Sequence, residues 1–552
     1  MTVAAAVRKS SGLLAWRSVV LLLPLLAAAL VETLTETLVP TIIGRIVPLM
    51  DAGHLVLGLG AVGVALGVAN QFWSLPWRRP GFAIALSFVG CVVAGWLGGV
   101  SWPNSGDEYS YVYLADTLLA GRLSNPAPPD PLLFESFHVA VNGGKMFSPY
   151  PVGWSAFLVP FRALGAVWLA NPVLTVLIGT GLLGACRRLD VSPIVQKPAL
   201  ALVLLTPFTL FLGGSVFPQT MACALTVCIV WAQLADEAQP RPWRKILIGA
   251  LFGILLLTRY DVFAIVALVY AIDRLAIRRL NVVVDGLLVL SGWLPFVACQ
   301  LSYDYGITGH LLQLPATWGA AGVFGEPIEG TATALVLFSA FKNLSWLGSL
   351  AQFGGLPILI LAVVALTLKI RRRTCRFYDF LLPVAIVFYS FVPFTGGHQY
   401  GPRYWFWAWP ISILTIISAL IDESGHLRFG ERRVSFEGFT AACLVYAAGA
   451  FCVLLATTYT YIAARRAVYD GPQPQARAIV LLPSRSLKIW SWQESGFDAS
   501  SLDFTRNDLD YDTRTLYGRA DATDAIARAC RLDNREVFQW EEPGHLLRIA
   551  CP

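Results

Sequence analysis

Charge is what this chain has least of. Lys, Arg, Asp and Glu make up 14% of its 552 residues, against about 25% in an ordinary soluble chain. The shortage is uneven, because the last 83 residues hold 23 charges and the first 469 hold 53. That distribution excludes a cytosolic enzyme, a secreted domain and a disordered chain. The ten cysteines form no CxxC and no Cys/His metal spacing. Cys91, Cys186, Cys223, Cys228, Cys299, Cys443 and Cys452 lie in or beside apolar runs, where thiols act as small hydrophobes. No Walker or dinucleotide fingerprint occurs. An ATP-driven transporter is therefore excluded, and a nucleotide-sugar donor taken from the cytosol is disfavoured. The first apolar run lacks a small-residue cleavage site, so no cleavable signal peptide is expected. No internal repeat is visible, which weighs against a transporter or flippase of a lipid-linked saccharide.

What is present is apolar: 56% of the residues, including 18 Trp, 18 Tyr and 31 Phe. Runs at 18–40, 54–73, 81–100, 167–186, 198–216, 217–235, 283–301, 354–370, 379–395, 405–421 and 437–459 read as about 11 spans. Two shorter runs, 246–258 and 261–276, read as a broken or re-entrant pair around Thr258-Arg259-Tyr260. The basic residues cluster in short loops: Arg8/Lys9/Arg17, Arg78/Arg79, Arg187/Arg188, Arg241/Arg244/Lys245, Arg274/Arg278/Arg279, Arg371–Arg373 and Arg428/Arg432/Arg433. Taken as cytoplasmic, these clusters put loops 101–166, 302–353 and 396–404 and everything after Tyr459 on the extracytoplasmic face. The fold class expected is an all-α polytopic membrane protein with a small extracytoplasmic α/β domain at the C-terminus. In that tail, 478–482, 537–540 and 546–549 read as strands and 521–531 as a helix. Asp508-Leu509-Asp510 mimics a nucleotide-sugar motif but reads as a solvated turn. Cys530 and Cys551, the only cysteines of the tail, either pair in an oxidising compartment or stay as two buried thiols.

Loops of such length usually carry function. The first begins with Ser105-Gly106-Asp107-Glu108-Tyr109, where Ser105 or Asp107 caps an interfacial helix running to about Arg122. Asp107 and Glu108 suit the positive end of that helix, and equally suit proton transfer. Adjacent helical residues point about 100° apart, so one carboxylate and not both would act on a given atom. His138 alternates with apolar neighbours, Gly143-Gly144 suggests a hairpin turn, and Pro149, Pro151 and Gly153 close the segment. Tyr400, Tyr404, Trp405, Trp407 and Trp409 read as an interfacial aromatic belt.

Several of these segments together resemble the membrane glycosyltransferases of the GT-C superfamily. The branch that fits is that of protein O-mannosyltransferases, lipid A aminoarabinose transferases and lipopolysaccharide-core galacturonosyltransferases. The resemblance rests on Asp107-Glu108-Tyr-x-Tyr and on Gly143-Gly144-Lys145-x-Phe147-Ser148-x-Tyr150-Pro151-x-Gly153-Trp154. It rests further on Thr258-Arg259-Tyr260-Asp261, on Tyr303-x-Tyr305-Gly-Ile-Thr308-Gly309 with Pro315, and on Tyr400-Gly401-Pro402-Arg403-Tyr404. Departures are Pro149 where relatives carry a basic residue, Val152 for Pro, Gln219 for a His, and one residue fewer between Arg259 and Asp261.

On this resemblance, 1–80 holds added helices, 81–469 the catalytic region and 470–552 the soluble domain. It implies a polyprenyl-phosphate sugar as donor, a glycan, lipid or protein hydroxyl as acceptor, and inversion at the sugar. Asp107, or Glu108 beside it, would be the base. Arg403, Arg259 and Lys145 would hold the donor phosphate. Tyr109, His138, Tyr150, Asp261, His398, Tyr400 and Tyr404 would contact substrate. No metal, cofactor or nucleic acid is expected, and the location is the cell membrane. A transporter or a non-catalytic envelope scaffold is the alternative.

Overall fold

The computed structural model of the chain describes residues 59–60, 62–63, 74–97, 103, 105–134, 138–277, 282–318, 332–392, 400–469, 474–482, 507–520, 522–532, 535–542 and 545–551. The run 18–40, most of 54–73, and His398 lie outside them. Helices make up most of what is described. They are α1 (Gly81–Leu97), α2 (Gly106–Leu119), α3 (Val152–Ala163), α4 (Ala170–Arg188), α5 (Pro193–Leu204), α6 (Pro207–Gly214), α7 (Gln219–Ala238) and α8 (Pro242–Thr258). There follow α9 (Tyr260–Ile277), α10 (Val282–Thr308), α11 (Ala332–Gln352), α12 (Leu356–Arg372), α13 (Leu381–Ser390), α14 (Ser412–Leu420) and α15 (Phe436–Tyr469). Among the described residues, four helices are long and apolar enough to cross a membrane, or six if two bent pairs each count as one crossing. That is the architecture of a multi-pass membrane protein.

The differences from the sequence reading have local causes. The run 198–216 is two helices bent by 59°. Pro207 begins α6 and holds Thr206 extended, and the Thr206 hydroxyl caps the new helix by accepting from Thr209 N. The run 405–421 contains only the nine-residue α14. The Trp405, Trp407 and Trp409 rings before it are almost wholly buried, so they are core and not an interfacial belt. The segment 302–353 is not one long loop. Its first residues complete α10, where Tyr303 and Ile307 pack against Phe147, Val152 and Leu257. Its last part is α11, whose polarity hid it: the Lys342 ammonium donates to the carbonyls of Tyr389 (2.6 Å) and Val392 (2.5 Å). The short pair is longer than its apolar core, because α8 takes in Lys245, which is paired with Asp236 (3.3 Å) and Asp285 (3.4 Å).

Helices α8 and α10 lie against each other through glycines. A Cβ on Gly249 would sit 1.9 Å from the Val289 carbonyl oxygen, and one on Gly292 would sit 2.0 Å from that of Ile246. Small residues let membrane helices approach this closely. Gly249→Ala is therefore expected to destabilise the protein by roughly 1–3 kcal/mol, measured as an earlier thermal transition of the solubilised protein. Gly286→Ala on the partner helix α10, with nothing within 4 Å of its Cβ, should not destabilise it.

Three short strands, β1 (Asn125–Pro126), β2 (Ala140–Asn142) and β3 (Lys145–Phe147), form a sheet of order β1-β3-β2 between α2 and α3. β4 (His426–Phe429) and β5 (Arg432–Ser435) form a hairpin. The tail holds β6 (Ala478–Leu482), β7 (Thr515–Arg519), β8 (Glu536–Glu542), β9 (His545–Ile549) and the short helix α16 (Ala525–Cys530). The sheet order is β7-β6-β8-β9, with β6 parallel to both neighbours and β9 antiparallel. The strand β7 is absent from the sequence reading, because Gly518 interrupts its apolar pattern.

The tail sits on the segment between α2 and α3. Arg122 pairs with Asp510 (2.6 Å), Arg528 with Asp130 (3.0 Å), and Arg519 N donates to Leu133 O (2.9 Å). Cys530 and Cys551 are disulfide-bonded with Cα atoms 5.5 Å apart. A loop of this length is worth ~3 kcal/mol in the chain-entropy model. Cys551→Ser is expected to lower tail stability by about that much, read by hydrogen exchange over β8 and β9.

Candidate active site

Ser105 caps α2, its hydroxyl accepting from Glu108 N at 3.2 Å. The cap puts Asp107 and Glu108 in the first turn, and the helical twist sends them apart. Glu108 is fully buried, and its Oε1 accepts from Val216 N at 2.9 Å. Asp107 turns into a polar cluster and remains 16% exposed. Its Oδ2 accepts from Arg403 Nη2 at 2.8 Å, and its Oδ1 accepts from the Tyr150 hydroxyl. The same hydroxyl lies 3.0 Å from His138 Nδ1, and His138 Nε2 lies 3.8 Å from Asp107 Oδ1.

Arg403 reaches Asp107 from a tight turn. Tyr400 and Gly401 both have positive φ, and Arg403 N donates back to Gly401 O at 2.7 Å. At Gly401 the left-handed backbone favours glycine, and a Cβ there would also meet the Phe208 ring at 2.9 Å. The guanidinium lies 4.2 Å above the Phe217 ring and 5.3 Å from the Tyr404 ring. Asn171 fixes Phe217 by donating to the carbonyls of Ser215 and Phe217. Arg403 is buried, and its Nε and Nη1 make no satisfactory hydrogen bond with the described residues. Orphaned guanidinium donors inside a protein are costly unless something else receives them.

Burial alone would raise the pKa of Asp107. The charges of His138 and Arg403 and the hydrogen bonds from Tyr150 and Arg403 outweigh it, holding the carboxyl well below the usual carboxylate range. Burial pulls the His138 imidazole below its ordinary 6.5, against the opposing Asp107 charge. Of the two neighbours, Arg403 is the permanent cation beside Asp107. Burial opposes the charge on Arg403 too, yet Tyr404 and Asp107 hold it firmly protonated.

A second polar group adjoins the first through Tyr404. The extended backbone at Arg259 breaks α8 from α9, and its guanidinium forms a two-pronged pair with Asp261, at 2.6 and 3.0 Å. The Tyr389 hydroxyl donates to Asp261 at 2.6 Å. Arg259 lies 5.2 Å from the centre of the Tyr404 ring, so both guanidiniums adjoin this one ring.

Two residues expected at the site are employed elsewhere, and a third lies under it. Lys145 donates to the Gly306 and Ile307 carbonyls at the end of α10, a cation at a helix C-terminus. Tyr109 packs with Tyr113, Val480, Leu482 and Tyr517 beneath the tail. Tyr400 packs against Phe211 and Phe217, beneath Arg403. Four others join the cluster without having been singled out: Phe217, Tyr389, Tyr111 (4.7 Å from the Tyr150 ring) and Trp346, which stacks on Tyr404. Tyr111 belongs to the Asp107-Glu108-Tyr-x-Tyr motif. Phe217 and Tyr389 sit in apolar runs and Trp346 in the segment 302–353, with no distinguishing signal. Among the described residues, no group of three His, Cys, Asp or Glu is placed to hold a metal ion.

No protein-family model matches the chain, and no curated protein matches it in sequence. Its structure is similar to that of ArnT from Cupriavidus metallidurans in the apo state, with a TM-score of 0.52 at 12% identity, over 83% of this chain and 92% of that one. The chain has the GT-C fold. The same ArnT bound to undecaprenyl phosphate aligns at TM-score 0.49 and 11% identity, again over 83% and 92%. The Archaeoglobus fulgidus oligosaccharyltransferase in complex with Zn and sulfate aligns at 0.44 and 13%, over 83% of this chain and 67% of that one. Within this GT-C fold, Asp107 and Arg403 are brought together from positions 296 residues apart.

Proposed function

We propose that the chain is a membrane glycosyltransferase. It moves a sugar from a polyprenyl-phosphate donor to a hydroxyl acceptor on the extracytoplasmic face. The observation that carries the proposal is the Arg403 guanidinium. One of its nitrogens is on Asp107, and two others are buried with no satisfactory partner among the described residues. A phosphate oxygen is a natural acceptor for such a planar fork. One side chain then spans the base and the leaving group. The GT-C fold supports the reading, and the basic loops support the orientation.

Asp107 takes the acceptor proton as the hydroxyl oxygen attacks the anomeric carbon. An ionised carboxylate offers about four lone-pair sites, so its bonds to Arg403 and Tyr150 leave room for the incoming hydroxyl. The bond from sugar to phosphate oxygen breaks, and its electron pair leaves with the polyprenyl phosphate. Arg403 stabilises the charge growing there. Attack opposite the leaving group inverts the anomeric centre. Arg259, already matched by Asp261, chiefly holds Tyr404 against Arg403.

The test uses the full chain in lipid nanodiscs with a panel of undecaprenyl-phosphate-linked hexoses and pentoses. Acceptor-dependent release of undecaprenyl phosphate from at least one donor is expected. Donor binding without release, across glycan, lipid and peptide hydroxyl acceptors, would overturn the assignment.

A further inference from the structure

We propose that His138 is the group that re-ionises Asp107 after each transfer, with the Tyr150 hydroxyl as the bridge between them. The proposal rests on the reading of Asp107 as the base. The three side chains close a triangle: the Tyr150 hydroxyl touches Asp107 Oδ1 and lies 3.0 Å from His138 Nδ1, and His138 Nε2 is 3.8 Å from the same Oδ1. His138 has a φ of 65°, the left-handed backbone that any residue with a Cβ disfavours. A packed structural histidine needs no such conformation, and backbone outliers of this kind cluster at working sites. The Tyr111 ring, 4.7 Å from that of Tyr150, holds the bridge in place.

The chemistry supplies the need. A carboxylate held as an ion by Arg403 is a weak base, and once protonated it must discharge before the next turnover. The balanced sequence starts with the acceptor proton on Asp107. Asp107 O–H gives its proton to the Tyr150 oxygen as the Tyr150 proton passes to His138 Nδ1. Asp107 is an ion again, Tyr150 is a neutral phenol, and His138 is an imidazolium. His138 is 15% exposed, so the imidazolium can release its proton to water.

Among the described residues, the titratable and charged groups facing His138 are Asp107 from α2, Tyr150 from the segment before α3, and Arg403 from the 400–405 turn. Burial lowers the imidazole pKa, Asp107 raises it and Arg403 lowers it, with a net shift below the ordinary value. As pH falls through that pKa, His138 is already protonated and cannot receive, so turnover falls. Asp107 is still ionised there, because its carboxyl lies far lower. The acid limb of the pH profile therefore belongs to His138.

His138→Asn is the informative variant. Asparagine tolerates the left-handed backbone, and its amide oxygen can accept from Tyr150, but it takes up no proton. On whichever undecaprenyl-phosphate sugar the wild type releases undecaprenyl phosphate, turnover should fall about 10-fold or more, with donor KM unchanged and the acid limb gone. An Asn variant that keeps full turnover or keeps the acid limb overturns the relay. So does a raised donor KM with the limb retained, the mark of a merely structural residue. A second measurement needs no turnover: 15N NMR of the histidines in the full-length protein, with His138 assigned by its loss in His138→Asn. In Asp107→Asn the His138 pKa should shift downward, since the nearby carboxylate favours the imidazolium. No shift overturns the proposal. A shift in a wild-type protein that releases nothing overturns the glycosyltransferase reading and leaves the coupled pair standing.

Discussion

Asp107→Asn is expected to abolish transfer while leaving the donor bound. The substitution preserves shape and an oxygen that can accept from Arg403, so the polar cluster stays assembled. It removes the ionised oxygen that could take a proton from the acceptor, because an amide oxygen still accepts hydrogen bonds but is not a base at neutral pH. Positioned proton transfer contributes on the order of 10²- to 10⁴-fold, and the rate of undecaprenyl phosphate release should drop by that much. Equilibrium binding of a donor lipid should change little, since Arg403 keeps its charge and the two nitrogens that lack a satisfactory partner among the described residues. The neighbour supplies the control. Glu108 accepts from Val216 N at 2.9 Å and from the Ser105 hydroxyl at 3.3 Å. Glu108→Gln retains an oxygen for Val216 and should cost little activity. Near-normal turnover in Asp107→Asn, or a larger loss in Glu108→Gln, would end the assignment of Asp107 as the base.

How far such a site is legible in the sequence depends on what each residue needs to be recognised. Asp107 stands after a capping serine, and Arg403 stands in a Gly-Pro turn away from the basic loops, so both carry local signals. Their contact across 296 residues carries none. Tyr109 and Tyr111 are two positions apart on one helix, so they face about 200° apart. The motif names both, and only the packing decides that Tyr111 joins the site while Tyr109 lies under the tail. Lys145 has the right charge for a phosphate. Its partner is the end of α10, and that end was hidden because Tyr303–Thr308 reads as loop. Helices were misjudged where polarity is satisfied by tertiary partners, as for Lys245 and Lys342. The gross architecture was legible because apolar runs and turn residues act locally. Pairings across the chain were not, because nothing within a window of a few turns depends on them.

Arg403→Lys is expected to be nearly as damaging as loss of the base, although it conserves charge. Lysine carries a compact ammonium with three donors on a single nitrogen, whereas the guanidinium is a rigid plane with five donors. In this site the plane is used three ways at once. It faces the Phe217 ring at 4.2 Å, it gives Nη2 to Asp107 at 2.8 Å, and it directs Nε and Nη1 elsewhere. An ammonium can pair with Asp107 or with a phosphate, but it cannot bridge the two while lying flat on Phe217. If it settles on Asp107, the leaving group loses its donors, a loss of roughly 10²- to 10³-fold in turnover. If it turns to the phosphate, the carboxylate loses its cation and its pKa rises toward the ordinary range. That second outcome would appear as an Asp107-dependent inflection entering the pH profile from the acid side. Donor affinity should weaken in either case, which separates this variant from Asp107→Asn. Wild-type turnover and donor affinity in Arg403→Lys, with a folded protein by its thermal transition, would show that the fork is not what holds the phosphate.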